Sequence, residues 1–220
     1  MTSAPFNFKQ YGLALHTASP DLGLAISNFS GDSRSQVWEL GRDLSTHLHV
    51  YLAEFLKPQG WTDLAWIAVA RGPGGFTGTR IGVVTARTLA QQLEIPLFAI
   101  STLAAIAWAE QSKLPEPRAI AVQMRAQREE LFCAIYQPAL NGMGLKTLLP
   151  DTVMNPEAWQ QILTHQRQPC HLVKVEGGLG FSVCSLLELA YRAWQQGNHP
   201  HWSGALPFYG QHPVDGGGKG

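Results

Sequence analysis

Charge is scarce in this chain. Of its 220 residues only 15% are Asp, Glu, Lys or Arg, against about 25% in ordinary globular usage. The 16 basic side chains balance 16 acidic ones, so no charged tail or coiled coil fits, and no basic field exists to drive unaided attachment to nucleic-acid phosphates. Cysteine is scarce too. Cys133, Cys170 and Cys184 are odd in number, widely spaced and without a C-x-x-C pair, which excludes a disulfide framework or zinc knuckle and reads as buried reduced thiols. The longest mainly apolar run, Ile95 to Ala109, contains Pro96, Ser101 and Thr102 and falls short of the ~18 residues expected of a spanning helix. Met1 to Gln10 shows no leader pattern, so a cytoplasmic protein that avoids membranes is expected. What the chain does have is 45% hydrophobic content, enough for a sizeable core in one full domain or two small ones.

Turn signals at Ser19-Pro20-Asp21 and Ser30-Gly31-Asp32 separate three apolar or alternating runs, Tyr11 to His16, Leu22 to Phe29 and Gln36 to Leu40, which read as an antiparallel meander. Leu44, Leu48, Leu52, Phe55 and Leu56 then recur at helical spacing, opened by Asp43 or Ser45 and stopped by Pro58 and Gly60. Ala65 to Ala70 reads as a buried strand, Arg71 to Gly78 as a glycine loop, Arg80 to Leu93 as a helix, Pro96 to Ile100 as a strand, and Thr102 to Gln111 as a helix capped by Ser101. After a connector around Leu114 the pattern restarts. Ala119 to Met124, Leu131 to Tyr136 and His171 to Val175 read as strands, Asn141 to Gly144 as a turn, and Pro156 to Leu163 and Phe181 to Gln196 as helices. Two successive sheet-plus-helix units predict a duplicated α/β chain, with subdomains at 1–112 and 113–214 and a flexible tail at 215–220.

The most informative stretch is Gly72-Pro73-Gly74-Gly75-Phe76-Thr77-Gly78-Thr79-Arg80-Ile81-Gly82, between a buried strand and a helix. A helix N-terminus attracts anions, and glycines let a ligand or another backbone come close. No Lys follows the glycines, so this is not the phosphate-gripping loop of nucleotide hydrolases, and it lacks the third glycine of a dinucleotide fingerprint. Both an anion cradle and a plain tight turn remain open.

Arg71 to Gly82 closely resembles the R-G-P-G-S-F-T-G-L-R-I-G signature of the TsaB (YeaZ) family, and the likeness runs from about Leu13 to Tyr136. Leu13 to Ser19 resembles that family's first strand, and Ile95-Pro96-Leu97 and Ser101-Thr102-Leu103 follow in the family's order. The second half is similar only in its Pro207-Phe208-Tyr209 ending. The resemblance implies an α/β duplicated actin-like, ribonuclease-H-type ATPase fold. It implies a non-catalytic partner of TsaD, the catalytic subunit that attaches threonylcarbamoyl to the adenosine beside the anticodon of tRNAs. A TsaE-type small ATPase would join through the complex, tRNA would be met indirectly, and the chain alone would form a homodimer. No cofactor is required of the chain itself, although an adenine nucleotide at a partner interface is compatible. The alternative is an actin-like ATPase or small-molecule kinase with phosphates at Gly72 to Gly78.

Two departures bear on that alternative. Where the family's first strand ends in Ile-Asp-Thr, this chain has Leu15-His16-Thr17, replacing a hard oxygen ligand by imidazole, which suits a hydrated metal poorly and reads better as a core or lid histidine. Arg125-Ala126-Gln127-Arg128-Glu129-Glu130-Leu131-Phe132 stands where relatives read D-A-R-x-x-E-V-Y, keeping Glu130 but losing the Asp and Arg. No catalytic set assembles from spacing. Nor does a metal set: His47 and His49 lie on different helix faces, His199-Pro200-His201 lacks neighbouring ligands, and Cys170 and His171 point to opposite faces of a strand. The residues left for anion contact are Thr17, Gly72, Gly74, Gly75, Thr77 and Gly78.

Two helices carry stripes suited to contact. One holds Leu44, Leu48, Leu52 and Phe55 with Tyr51 beside them, and the other holds Gly82, Ala86 and Ala90 as a smooth groove with Val83 and Val84. Such stripes serve a chain's own sheet as readily as a partner. The resemblance implies that these helices meet TsaD or a second copy, with Leu44, Leu48, Leu52, Phe55, Val83 and Val84 in the interface and His47, Tyr51, Arg80, Arg87 and Thr88 at its rim.

Overall fold

Strands with large side chains on one face and small ones on the other decide how the first sheet is covered. In this computed structural model, which describes residues 9–139, 142–166 and 169–210, the first half holds β1 (Tyr11–His16), β2 (Asp21–Ser27), β3 (Ser33–Glu39), α1 (Leu44–Leu56), β4 (Leu64–Ala70), α2 (Phe76–Leu93), β5 (Leu97–Ile100) and α3 (Thr102–Gln111). The second half holds β6 (Ile120–Arg125), β7 (Leu131–Pro138), β8 (Leu145–Met154), α4 (Pro156–Thr164), β9 (His171–Val175) and α5 (Val183–Gln195). The first sheet runs β3-β2-β1-β4-β5, antiparallel from β3 to β1 and parallel from β1 to β5.

Residues two apart on a strand share a face. Leu13, Leu15, Leu24, Ile26, Ile67 and Val69 face α1 and α2. The opposite face carries Ala14, Ala25, Ala68 and Ala70, and these short side chains leave room for Ala105 of α3 and for Val183, Leu186 and Ala190 of α5. α3 also turns Leu103, Ile106 and Ala107 toward Ile120, Val122 and Ala134 of the second sheet, while Trp159 of α4 packs on that sheet's far face with Cys133 and Ile135. The layers run α1 and α2, first sheet, α3 and α5, second sheet, α4. Thus α1 and α2 form one outer layer and α4 the other.

The second sheet runs β8-β7-β6-β9, an antiparallel meander with one parallel strand added. Meander, helix, parallel strand, helix describes β1 to α2 and again β6 to α5. This is the duplicated actin-like, ribonuclease-H-type layout, with no counterpart of β5 and α3 among the described residues of the second copy. Three readings of the sequence change. β8 was not foreseen, because Pro150 and Asp151 break its pattern; it is a sheet edge, where proline is tolerated. α2 begins at Phe76 rather than Arg80, taking Gly78 into its first turn. Of the thiols only Cys133 is buried; Cys170 is half-buried and Cys184 exposed. The tail at 215–220 and Asn141 lie outside the described residues.

One cap holds α1 in place. The Arg34 guanidinium, from β3, donates to the carbonyls of Phe55 and Leu56 at 2.9 Å and Lys57 at 3.0 Å, serving acceptors that a helix end leaves unpaired and answering its negative pole. Arg34→Ala is expected to cost about 2 kcal/mol, the range for hydrogen bonds to a charged group. Lysine recovers only part of this because it lacks the planar fork. Urea unfolding checks both; equal stability of all three proteins contradicts the cap.

Candidate functional site

The glycine loop owes its shape to contacts with the turn that follows β1. Gly72 is left-handed, with φ +96°, which favours glycine. The Gly75 N–H donates to the Ala18 carbonyl at 2.7 Å, and Thr17 Oγ1 donates to the Gly78 carbonyl at 2.8 Å. A Cβ on Gly74 would strike the Ala18 carbonyl oxygen, one on Gly78 the Thr17 carbonyl oxygen, and one on Gly82 the Thr17 side chain. Loop and helix start therefore lie backbone against backbone on Thr17 and Ala18. Of the two readings left open by the sequence, close packing accounts for Gly74, Gly78 and Gly82.

Beside this contact opens a cleft of about 1040 Å³, walled by Ala18 to Pro20, Gly74 to Gly78, the β6–β7 turn at Arg125 to Gln127, and Val175 to Gly177 after β9. Phe76 and Tyr209 meet in its lining, ring centroids 4.5 Å apart and planes tilted by 35°. Its charged lining is Arg42, Arg125 and Glu176. Gly74, Gly75, Thr77 and Gly78 face it, whereas two expected anion contacts do not. Thr17 is fully buried with its hydroxyl engaged by Gly78, and Gly72 is buried against the Phe208 carbonyl.

His16 is in the core. It shares the strand face of Ala14, has no exposed surface, and neither ring nitrogen has a hydrogen-bond partner among the described residues. Burial pushes its pKa down to about 3. The donors at the end of β1 do not fit the hydrated magnesium that the fold class implies: the usual carboxylate is this uncharged ring, outside the cleft lining, and Thr17 is occupied. Among the described residues no group of three or more His, Cys, Asp or Glu could hold a metal ion.

A pH dependence follows from His16. The folded state holds the neutral ring, while the unfolded ring binds a proton below about 6.5. Stability contributed by the neutral ring is therefore intact above pH 6.5 and lost as pH falls toward 3, at about 1.4 kcal/mol per pH unit. Between pH 6.5 and 5 the expected loss is about 2 kcal/mol. His16→Leu should flatten this limb in urea titrations; identical acid slopes contradict it.

The outer helices divide the expected interface residues. Leu44, Leu48, Leu52, Phe55 and Val83 are at most 8% exposed and pack in the chain's own core. The reason is geometric: the strongest apolar stripe of each helix faces the leucines of the first sheet. His47, Arg80, Val84 and Thr88 are exposed, and Tyr51 and Arg87 half-buried. Tyr51 leans on Trp38 of β3, centroids 4.9 Å apart. The sequence reading missed Val50, which like Val84 is 53% exposed. The signal was available: an apolar residue outside the buried stripe of an amphipathic helix.

Comparison with known proteins places this arrangement. The sequence model of the family described as "TsaD: tRNA N6-adenosine threonylcarbamoyltransferase" matches residues 39–187. The tRNA threonylcarbamoyladenosine biosynthesis protein TsaB of Bacillus subtilis is 31% identical over 162 residues, 71% of this chain and 67% of that protein. The chain belongs to the TsaB (YeaZ) family. The Escherichia coli TsaB is likewise 31% identical, over 70% of this chain and 64% of its own length, so the matched region spans about two thirds of these relatives. Two solved Pseudomonas aeruginosa structures share the fold at 24% identity. One, described as similar to peptidase YeaZ, has a TM-score of 0.72 over 92% of this chain and 100% of its own, and the other, YeaZ, 0.70 over 91% and 99%. Arg71 to Gly82, the stretch that resembles the family signature, is in this TsaB-family chain the strand-to-helix joint that launches α2.

Proposed function

We propose that this chain serves tRNA threonylcarbamoyladenosine biosynthesis as a subunit that docks its outer helix layer, α1 and α2, onto a TsaD-type catalytic subunit and transfers nothing itself. The names of its relatives and its likeness to the TsaD family support the pathway. The observation that carries the docking is the outer layer of α1 and α2, which keeps Val50 and Val84 in solvent, each 53% exposed, after sending the main stripes inward. Exposed valines on helices that also expose His47, Arg80 and Thr88 and half-expose Tyr51 suit a protein interface with a polar rim. The absence of phosphate-steering charge is compatible with a tRNA pathway when the partner supplies the basic surface. A TsaE-type ATPase enters through the complex, and a second copy of this chain is the default occupant of the face when the partner is missing. Non-catalytic action is supported by the buried, uncharged His16 and by the packing glycines, which leave the cleft without a metal-organising carboxylate at β1.

Size-exclusion chromatography with the TsaD-type subunit of the same organism tests this. Co-elution is expected, and separate elution at micromolar concentration contradicts the docking. Magnesium-dependent ATP turnover by the purified chain alone would contradict the non-catalytic assignment.

A further inference from the structure

A buried carboxylate joins the two halves of the molecule. Asp151, on β8, has a side chain only 2% exposed. Its Oδ1 accepts a hydrogen bond from the Tyr136 hydroxyl on β7 at 2.8 Å and from Ser101 Oγ at 2.7 Å, while its Oδ2 lies 3.4 Å from Arg71 Nη2. Tyr136 and Asp151 belong to the second sheet; Ser101 and Arg71 belong to the first half. Ser101 Oγ also accepts from the Ala104 N–H at 3.2 Å and so caps α3. Burial and the Asp151 charge hold the Tyr136 hydroxyl well above its ordinary range, so it stays a donor.

A carboxylate fills a core position at a cost, since its counter-charge, Arg71, is itself 40% exposed, and an apolar side chain would often serve stability as well. Its placement serves geometry better. Arg71 is the first residue of the glycine loop. Its N–H donates to the Ile100 carbonyl at 2.9 Å, its carbonyl accepts from the Phe208 N–H at 2.6 Å, and the next carbonyl, of Gly72, accepts from Thr102 at 2.9 Å. The loop's other end rests on Thr17 and Ala18, and α2 begins at Phe76.

We propose that Asp151 is a positioning residue: from the second half it latches Arg71 and Ser101, fixes the glycine loop, and thereby sets the orientation of α2 and its outer face. The inference rests on the docking reading for its effect on a partner, but not for its effect on the loop.

Asp151→Asn keeps the shape and removes the charge; Tyr136→Phe removes one donor. Trp159→Phe is the control, since it loses the 2.8 Å bond to Gln123 on the far face of the second sheet without touching the latch. Hydrogen exchange and affinity for the TsaD-type subunit are measured on the full chain. Amides of residues 72–80 are expected to exchange about tenfold faster in Asp151→Asn, and to a smaller degree in Tyr136→Phe, with about tenfold weaker binding, equal to ~1.4 kcal/mol. Trp159→Phe should change neither. Exchange at 72–80 that stays at the wild-type rate in Asp151→Asn, or that rises equally in Trp159→Phe, overturns the latch. If Val84→Asp also leaves binding intact, the docking reading fails instead, and loop exchange still decides the latch.

Discussion

Val84→Asp is expected to abolish co-elution with the TsaD-type subunit while leaving the fold intact. Val84 is 53% exposed, so an aspartate there stays in water and stability should change by no more than about 0.5 kcal/mol. At a docked interface the same carboxylate would be desolvated without a partner, which at a central position costs about 2 to 4 kcal/mol, roughly 30-fold to 1,000-fold in affinity. Leu48→Asp provides the contrast. Leu48 has no exposed surface and packs in the core beneath α1. Introducing a charge there removes a buried leucine and buries an unpaired carboxylate, about 5 kcal/mol or more, which threatens the fold itself. Both variants lose the partner, and thermal melting separates the causes: Val84→Asp should melt with the wild type and Leu48→Asp far below it. Intact binding by Val84→Asp would contradict docking through the outer face of α1 and α2.

The second large effect concerns the glycine loop. Gly74→Ala and Gly78→Ala each push a methyl group into a backbone carbonyl, of Ala18 and Thr17 respectively, and a backbone cannot swing aside as a flexible side chain can. Each is expected to cost about 3 kcal/mol, lowering Tm by about 6 to 12 °C in a chain of this size. Gly75→Ala lies one residue from the first of these, yet its nearest neighbour would be the Ala18 oxygen at an ordinary 3.7 Å, so it should be nearly neutral. Equal behaviour of Gly74→Ala and Gly75→Ala would mean that close approach is not the reason for these glycines.

Much of the architecture was legible because it rests on periodicity and punctuation. β1, α3 and β9 occupy the predicted spans, and Ser101 and Asn155 cap α3 and α4 as their residue types suggest. β8 was not legible. An edge strand with Pro150 and Asp151 in it shows neither alternation nor an apolar run, and the polar residue that obscured it is the one that ties the halves together. The placement of α5 was hidden for another reason. Its apolar stripe shows that it packs, but only the alanines facing it from β1, β2 and β4 show that it packs on the first sheet. Of the residues expected at an interface, the structure shows which are buried and which are exposed. The helical stripe of Leu44, Leu48, Leu52 and Phe55 marks what is buried, and the same strength of pattern that drew attention to it is what commits it to the chain's own core. The outward face is read from the exceptions, Val50 and Val84. His16, expected as a core or lid histidine because imidazole in place of a carboxylate removes the reason to face a metal, lies in the core.

The most direct test is an add-back reaction containing tRNA, ATP, threonylcarbamoyl-adenylate, the TsaD-type subunit and the TsaE-type ATPase, with threonylcarbamoyladenosine measured by mass spectrometry of the digested tRNA. Product is expected when the wild-type chain is added, and background when it is omitted or replaced by Val84→Asp, whereas His16→Leu should support full product. Equal product with Val84→Asp, or product from this chain without the TsaD-type subunit, would contradict a docking subunit that transfers nothing itself.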